Sequence, residues 1–251
     1  MESSRKVLML SVIASENLRP TPRAADLGYA PRHFGSFLAW SFFRFDREST
    51  LPPQAANASR WAQKGIIEPM TLVIRAVRRE ELLETSKIYI ECFRQDYHFL
   101  AREYLEQMDC KKEVKECADW LYHQDASNAI FGIFEGGDMA GYVAVGRDQA
   151  EPDGNQGEVC GLFVRSTYRK QGLGIKLLKA GAEHLERLGF TRLVIYNFKQ
   201  SDSNQYYRKL GGKLVKQETQ EVGEDEFEVD VFGWQISELR AALENRLEKR
   251  N

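Results

Sequence analysis

The densest chemistry in the chain lies at Arg169-Lys170-Gln171-Gly172-Leu173-Gly174. Glycines two positions apart let backbone amides come close to a ligand. An amphipathic helical pattern follows, so those amides fall at a helix N-terminus. There the first N–H groups lack intrahelical partners and about half a unit of positive charge accumulates. Arg165, Arg169 and Lys170 add formal charge of the same sign. Together these features make a cradle for a phosphate or pyrophosphate. Two look-alikes are excluded. The nucleotide loop G-x-x-x-x-G-K-[ST] is absent, and the dinucleotide fingerprint G-x-G-x-x-G would need a third glycine where Leu177 stands.

The elements that must position this turn are readable around it. Residues 158–164 form an apolar strand, the helix runs to about 188, Gly189 caps it, and 192–196 reads as a parallel strand. That crossover puts the turn at the carboxyl end of a strand, where open α/β sheets bind ligands. Upstream, 72–77 reads as a strand, 80–96 as a helix, and 100–124 as a second, long, charged helix. Strands at 129–134 and 139–145 flank a turn at 135–138, followed by a polar loop over 147–156. Downstream, 203–210 is a short helix closed by Gly211-Gly212. Strands at 213–217 and 227–234 bracket an acidic stretch, and 236–249 is a C-terminal helix.

The turn matches [QR]-x-x-G-x-[GA] and its flanks match in order, which resembles the acetyl-coenzyme A loop of the GNAT N-acetyltransferases. The element order over 70–235, βααβββαβαββ, is similar to the GNAT fold. The resemblance implies an α/β (α+β) fold with a mixed central sheet of about seven strands and flanking helices. It also implies transfer of an acetyl group from acetyl-coenzyme A, as cosubstrate, to a primary amine by direct attack in a ternary complex. Leu162, Phe163 and Val164 match the family's L-[YF]-V segment, where the strand splays and its backbone binds the pantetheine and thioester carbonyl. One fixed donor aimed at a developing oxyanion contributes ~3 kcal/mol. Arg169, Lys170, Gln171, Gly172, Leu173, Gly174 and Ile175 would hold the pyrophosphate, with the amides of 171–175 as donors.

The same resemblance assigns two catalytic positions. Glu158 stands where some members carry a general base; burial on an apolar strand would raise its pKa toward that task, and ordered water is the alternative. Tyr206-Tyr207-Arg208-Lys209-Leu210-Gly211 resembles the family's F-Y-x-x-L-G segment, so Tyr207 takes the place of the acid that protonates the leaving thiolate. One departure concerns the family's asparagine six or seven residues earlier. Ser201 and Gln200 occupy those positions, Asn197 and Asn204 flank them, and no pantetheine contact is assigned from this helix. The segment 232–239, F-G-W-x-x-x-E-L, is similar to the ends of uncharacterised bacterial GNAT proteins.

Composition bounds the rest. The chain has 251 residues and a formal net charge of −2, so no global field favours nucleic acid or an anionic membrane. No apolar run approaches the ~20 residues of a membrane span. Cys92, Cys110, Cys117 and Cys160 form no C-x-x-C pair, and the four histidines show no metal or triad spacing; reduced thiols, no metal and a cytoplasmic setting are expected. Residues 1–69 hold six of the seven prolines and are basic (9 Lys+Arg against 6 Asp+Glu), whereas the remainder is acidic (26 against 31). They read as a poorly structured N-terminal extension before a catalytic domain over 70–251, with an aromatic cluster at 34–45. Met70 directly precedes the first strand, and one hypothesis makes it the true start. The acceptor pocket is expected from 93–104, 147–156 and the acidic 218–230 segment, where Glu221, Glu224, Asp225, Glu226 and Glu228 would attract a cationic small-molecule amine. A protein N-terminus or lysine as acceptor, and a non-catalytic acyl-coenzyme A sensor, are the competing readings. Homodimerisation, common in the family, is a further expectation.

Overall fold

The third strand, β3 (Asp138–Arg147), shows how one sheet serves two cores. Side chains alternate along a strand. Tyr142 and Ala144 enter one apolar cluster, and Val143 and Val145 enter the other. The computed structural model describes residues 72–152 and 154–250. The expected extension over 1–69, its 34–45 cluster and the Met70 start lie outside those residues.

The sheet has seven strands in the order β1-β2-β3-β4-β5-β7-β6. They are β1 (Leu72–Ala76), β2 (Ala129–Glu135), β3, β4 (Gln156–Val164), β5 (Arg192–Phe198), β6 (Lys213–Val222) and β7 (Asp225–Gln235). Every neighbouring pair is antiparallel except β4 and β5. On one face lie α1 (Leu82–Asp96), α2 (Arg102–Gln107) and α3 (Cys110–Asp119). On the other lie α4 (Leu173–Arg187), α5 (Asn204–Lys209) and α6 (Ile236–Glu248). Ile88 and Tyr89 of α1 and Leu177 and Leu185 of α4 are fully buried. Each such side chain stabilises the fold by roughly 1.5–3 kcal/mol. Among the described residues no helix is long and apolar enough to cross a membrane.

Two sequence expectations need correction. The single helix expected over 100–124 is broken. Met108 is extended (φ −61°, ψ 122°), and the Asp109 carboxylate accepts from the Lys111 and Lys112 amides at 2.9 and 3.0 Å. An aspartate that satisfies amides left open at a helix start favours a new N-terminus over continuation. Periodicity concealed the break, because Tyr104 and Met108 before it and Val114 and Cys117 after it pack on the same core. A π-helical turn, Trp120–Gln124, then leads toward β2. The acidic stretch expected as a connector is strand. β6 runs to Val222 and β7 starts at Asp225, with Glu218 opposite Val229 and Glu221 opposite Glu226. Gly223, at φ 66°, makes the tight turn. Charged side chains suit β6 because it is a sheet edge, where they discourage pairing with other chains.

The decisive feature is how briefly β4 and β5 stay together. They pair only through Gln156, Gly157 and Glu158, which face Arg192, Leu193 and Val194. Beyond that point β5 continues on β7 and β4 continues on β3. A bulge at Cys160, which has no partner between the Val145–Val159 and Ala144–Gly161 pairs, adds local twist. Gly141 of β3 keeps the far end of β4 close. A Cβ there would lie 2.5 Å from the Phe163 carbonyl oxygen and 3.0 Å from the Val164 Cα, both backbone atoms. Gly141→Ala must therefore move β4. It is expected to lower the unfolding free energy by about 1–3 kcal/mol, the usual loss on overpacking. Urea denaturation measures this, and wild-type stability would mean that β4 has slack.

Candidate active site

The splay opens a cleft of ≈ 540 Å³. Its walls come from the end of β4, the turn before α4, the 201–207 segment after β5, and the C-terminal end of α1. Leu162, Phe163, Val164, Arg169, Lys170, Gly172, Leu173, Gly174, Ile175 and Tyr207, separated by up to 45 positions in sequence, all line it. Leu173 and Ile175 are buried with their side chains in the core below. The Phe163 ring packs edge-on against Tyr89, so its side chain is engaged on the α1 face. Gln171 is exposed, and its side chain donates back to the Thr167 carbonyl at 3.5 Å; it is not among the lining residues.

The turn is built by unusual backbone angles. Lys170 (φ 64°) and Gly172 (φ 83°) are left-handed, and Gly172 is the N-cap of α4. Alternation of this kind turns backbone N–H groups toward one concave side. The Gly172 carbonyl accepts from the amides of Ile175 and Lys176 at 3.1 and 3.2 Å. The Ile175 amide, expected as a ligand donor, is therefore already engaged. Beside Gly174 the space is open: a Cβ there would meet only the Tyr206 hydroxyl, at 3.7 Å.

The arginines divide differently from their sequence reading. Arg169 forks onto Asp96 at 2.7 and 2.8 Å and places its Nε on the Val164 carbonyl at 2.9 Å. Arg165 pairs with Glu84 at 2.6 Å and Glu91 at 3.4 Å. Both cations thus fasten the strand–turn junction to α1. A bidentate arginine–carboxylate pair adds geometric specificity as well as attraction. Asp96 could not be singled out in the sequence, since nothing local marks it as the partner of a residue 73 positions away. The asparagines that flank the family position also have structural tasks. Asn204 donates to the carbonyls of Phe198 and Lys199 at 2.9 and 3.1 Å, and Asn197 donates to the Asn204 side chain at 2.6 Å. They shape the corner from β5 into α5, which sets Ser201, Ser203 and Tyr207 along the cleft.

Glu158 is the last β4 residue paired to β5, and it is 4% exposed. Burial first, then the neighbouring Asp148 and Glu218 carboxylates, push it up to about 8. Its Oε1 is buried without a hydrogen-bond partner among the described residues. Asp148 is well held, accepting from the Gln156 side chain at 2.7 Å, the Ala150 amide at 2.9 Å and the Tyr196 hydroxyl at 3.3 Å. Of the expected acidic segment only Glu218 approaches Glu158. Glu221, Glu224, Asp225 and Glu226 are exposed toward the turn, and Glu228 pairs with Lys199 at 2.8 Å. Tyr207 is buried among Tyr206, Phe232 and Trp234. Burial pushes its phenol far above the usual range, with hydrogen bonding to Ser203 acting the other way. Tyr207 lines the cleft and Glu158 does not: the phenol that stays protonated stands on the cleft wall, while the carboxyl able to gain or lose a proton near neutrality is buried on β4 outside that lining.

Comparison with known proteins agrees with this geometry. The sequence model of the Acetyltransferase (GNAT) family matches residues 83–212, just over half of the chain. The uncharacterized N-acetyltransferase YuaI of Bacillus subtilis (strain 168) is 24% identical over 178 residues, covering 68% of this chain and 98% of that protein. An N-acetyltransferase from Staphylococcus aureus Mu50 superposes with a TM-score of 0.53 at 16% identity, covering 66% of this chain and 99% of its own. The yncA protein of Salmonella typhimurium, solved with its cofactor acetyl-CoA, superposes with a TM-score of 0.50 at 18% identity, covering 66% and 94%. A parallel pair that parts after three residues, a left-handed glycine turn opening α4 and a family match spanning both belong together: this chain is a member of the GNAT acetyltransferase family.

Proposed function

We propose that this enzyme transfers the acetyl group of acetyl-coenzyme A to the primary amine of a small, cationic molecule by direct attack. The observation that carries the reading is the splay of β4 from β5. It leaves the backbone of Leu162, Phe163 and Val164 without a β5 partner along one wall of the cleft, with the glycine turn and Tyr207 on the same cleft. The cofactor's chemistry fits these residues. Its phosphates meet the left-handed turn before α4, its amide-bearing arm meets a strand edge that needs hydrogen-bond partners, and Gly174 leaves close approach open.

The roles follow from position and protonation. Glu158 in its ionised form takes a proton from the ammonium or the attacking amine, directly or through one water. The amine nitrogen then bonds to the thioester carbon, whose oxygen is held by β4 backbone donors. As the carbon–sulfur bond breaks, Tyr207 gives its proton to the departing sulfur. A pKa near the working pH is what a general base requires, and a phenol kept neutral by burial is what the acid step requires. Asp148 and Glu218 near Glu158 support a cationic acceptor. The reading takes residues 70–251 as the catalytic domain, and the coenzyme A pool of the cytoplasm as its supply.

The test is a panel of amines with acetyl-coenzyme A, following free thiol. Thiol release above hydrolysis with small cationic amines is expected; tight cofactor binding without release for any amine would overturn the catalytic reading. Tyr207→Phe is expected to lower kcat by about 10² or more, the usual scale of a lost general acid, with little change in acetyl-coenzyme A affinity. Calorimetry beside turnover separates the two. Glu158 acts as a base only when ionised, so kcat/KM should rise with pH through about 8, and Glu158→Gln should remove that limb. The same group sets a stability slope. Its folded pKa of about 8 lies above the ordinary 4.5, so the folded state binds the proton more tightly. Stability from this site is therefore present at low pH and is lost as pH rises from about 4.5 to about 8. Denaturation at pH 9 should find Glu158→Gln more stable than the wild type by roughly 1–3 kcal/mol.

A further inference from the structure

The end of α6 reaches the glycine turn from a part of the chain that no motif marks. Arg250, just past the helix, donates from Nη1 to the Lys170 carbonyl at 3.1 Å. The same nitrogen lies 3.2 Å from where a Cβ on Gly172 would stand. Lys170, Gly172, Gly174, Tyr206 and Arg250 all border the cleft of the proposed cofactor site. Among the described residues the buried Tyr206 hydroxyl has no hydrogen-bond partner, and it is the neighbour that a Cβ on Gly174 would meet. Arg246 and Arg250 are the charges that act on this phenol, against the burial that pushes it up to about 12. Arg246 itself is occupied with the Lys209 carbonyl.

We propose that the Arg250 guanidinium and the Tyr206 hydroxyl bind a phosphate in the adenosine-diphosphate half of coenzyme A, which makes the end of α6 part of the cofactor site. The inference rests on the acetyl-coenzyme A reading above. A guanidinium presents five N–H donors in a planar fork that matches phosphate oxygens, so one bond to the Lys170 carbonyl leaves donors for a ligand. That bond also holds the left-handed residue of the turn, fixing the direction of the neighbouring amides. A buried hydroxyl without a partner has lost its hydration; a phosphate oxygen in the cleft restores a hydrogen bond to it. The sequence motif accounts for neither residue. Arg169 and Arg165, the expected phosphate cations, are already paired to α1 carboxylates, whereas Arg250 has no ion pair among the described residues and brings its charge to the turn from the end of α6.

The test titrates the full-length protein with acetyl-coenzyme A, its 3′-dephospho form and S-acetylpantetheine by calorimetry. Arg250→Gln is expected to weaken acetyl-coenzyme A about tenfold, the scale of one charge-assisted hydrogen bond, and to leave S-acetylpantetheine unchanged. The salt dependence of the acetyl-coenzyme A affinity should flatten in the same variant. Tyr206→Phe should weaken acetyl-coenzyme A several-fold while the Tm of the ligand-free protein stays level or rises, since the hydroxyl has no partner to lose. Arg240→Gln, on the same helix but paired with Glu186, should bind as the wild type does. If the Arg250→Gln loss persists with the 3′-dephospho form, the bound group is the pyrophosphate; if it vanishes there, the bound group is the 3′-phosphate. Wild-type acetyl-coenzyme A affinity in both Arg250→Gln and Tyr206→Phe would overturn the proposal, as would equal weakening of S-acetylpantetheine, which would reduce Arg250 to a brace for the turn. A wild-type protein that binds none of the three compounds would instead remove the cofactor reading itself.

Discussion

After Glu158, one side of β4 has no strand to pair with. A buried strand whose N–H and C=O groups lack partners is unfavourable, and most folds avoid it by pairing or covering the edge. Here three constraints hold the strand in that condition. β3 grips it through Gly141, where only a hydrogen fits beside the Phe163 carbonyl. The bulge at Cys160 bends it. Arg169 takes the Val164 carbonyl and ties the following turn to Asp96 on α1. The edge unpaired to β5 is thereby kept along one wall of the cleft rather than relaxed into a longer parallel pair.

The charges near this wall follow the same logic of geometry over composition. Arg169 and Arg165 look alike in sequence to a free phosphate-binding cation, yet both face carboxylates of α1. Glu158 looks like one acidic residue among many, yet it is buried, with Asp148 and Glu218 acting on it and an oxygen left without a hydrogen-bond partner among the described residues. Burial raises the pKa of a carboxylate because the charged form loses its hydration, and like charges nearby add to the effect. Neither condition can be read from neighbours in the chain: Asp148 is brought close by a strand reversal, and Glu218 sits on β6, three strands from β4 in the sheet.

Much of the fold was legible. Short apolar runs on either side of a turn marked β2 and β3, helical spacing marked α1, an amphipathic pattern marked α4, and glycines marked the turns that reverse β2 and open α4. The failures have identifiable causes. The helix expected over 100–124 kept its apolar period across the Asp109 break, because both pieces lie on one core. The acidic run over 218–226 fell between the expected strands rather than within them, because an edge strand carries its charge on residues that face solvent. In the candidate site, the glycine turn, Leu162–Val164 and Tyr207, which line one cleft, were legible because each depends on local backbone or on a short motif. Asp96, Ser203, Tyr206 as a polar group and Arg250 were not, since each matters only through a contact with a remote segment.

The amino-acid sequence by itself determined the strand–turn–helix around 158–188, the left-handed glycine that opens α4, and the order of elements that closes the sheet. These depend on side-chain volume, glycine's freedom and apolar period, which act over a few residues. Tertiary structure alone decided that β4 and β5 part after three pairs, that two arginines face α1 and a third arrives from the end of α6, and that the Glu158 carboxylate is buried. Hydrogen-bond satisfaction, ion pairing and desolvation are properties of what surrounds a group in space, and the chain specifies those surroundings only once it has folded.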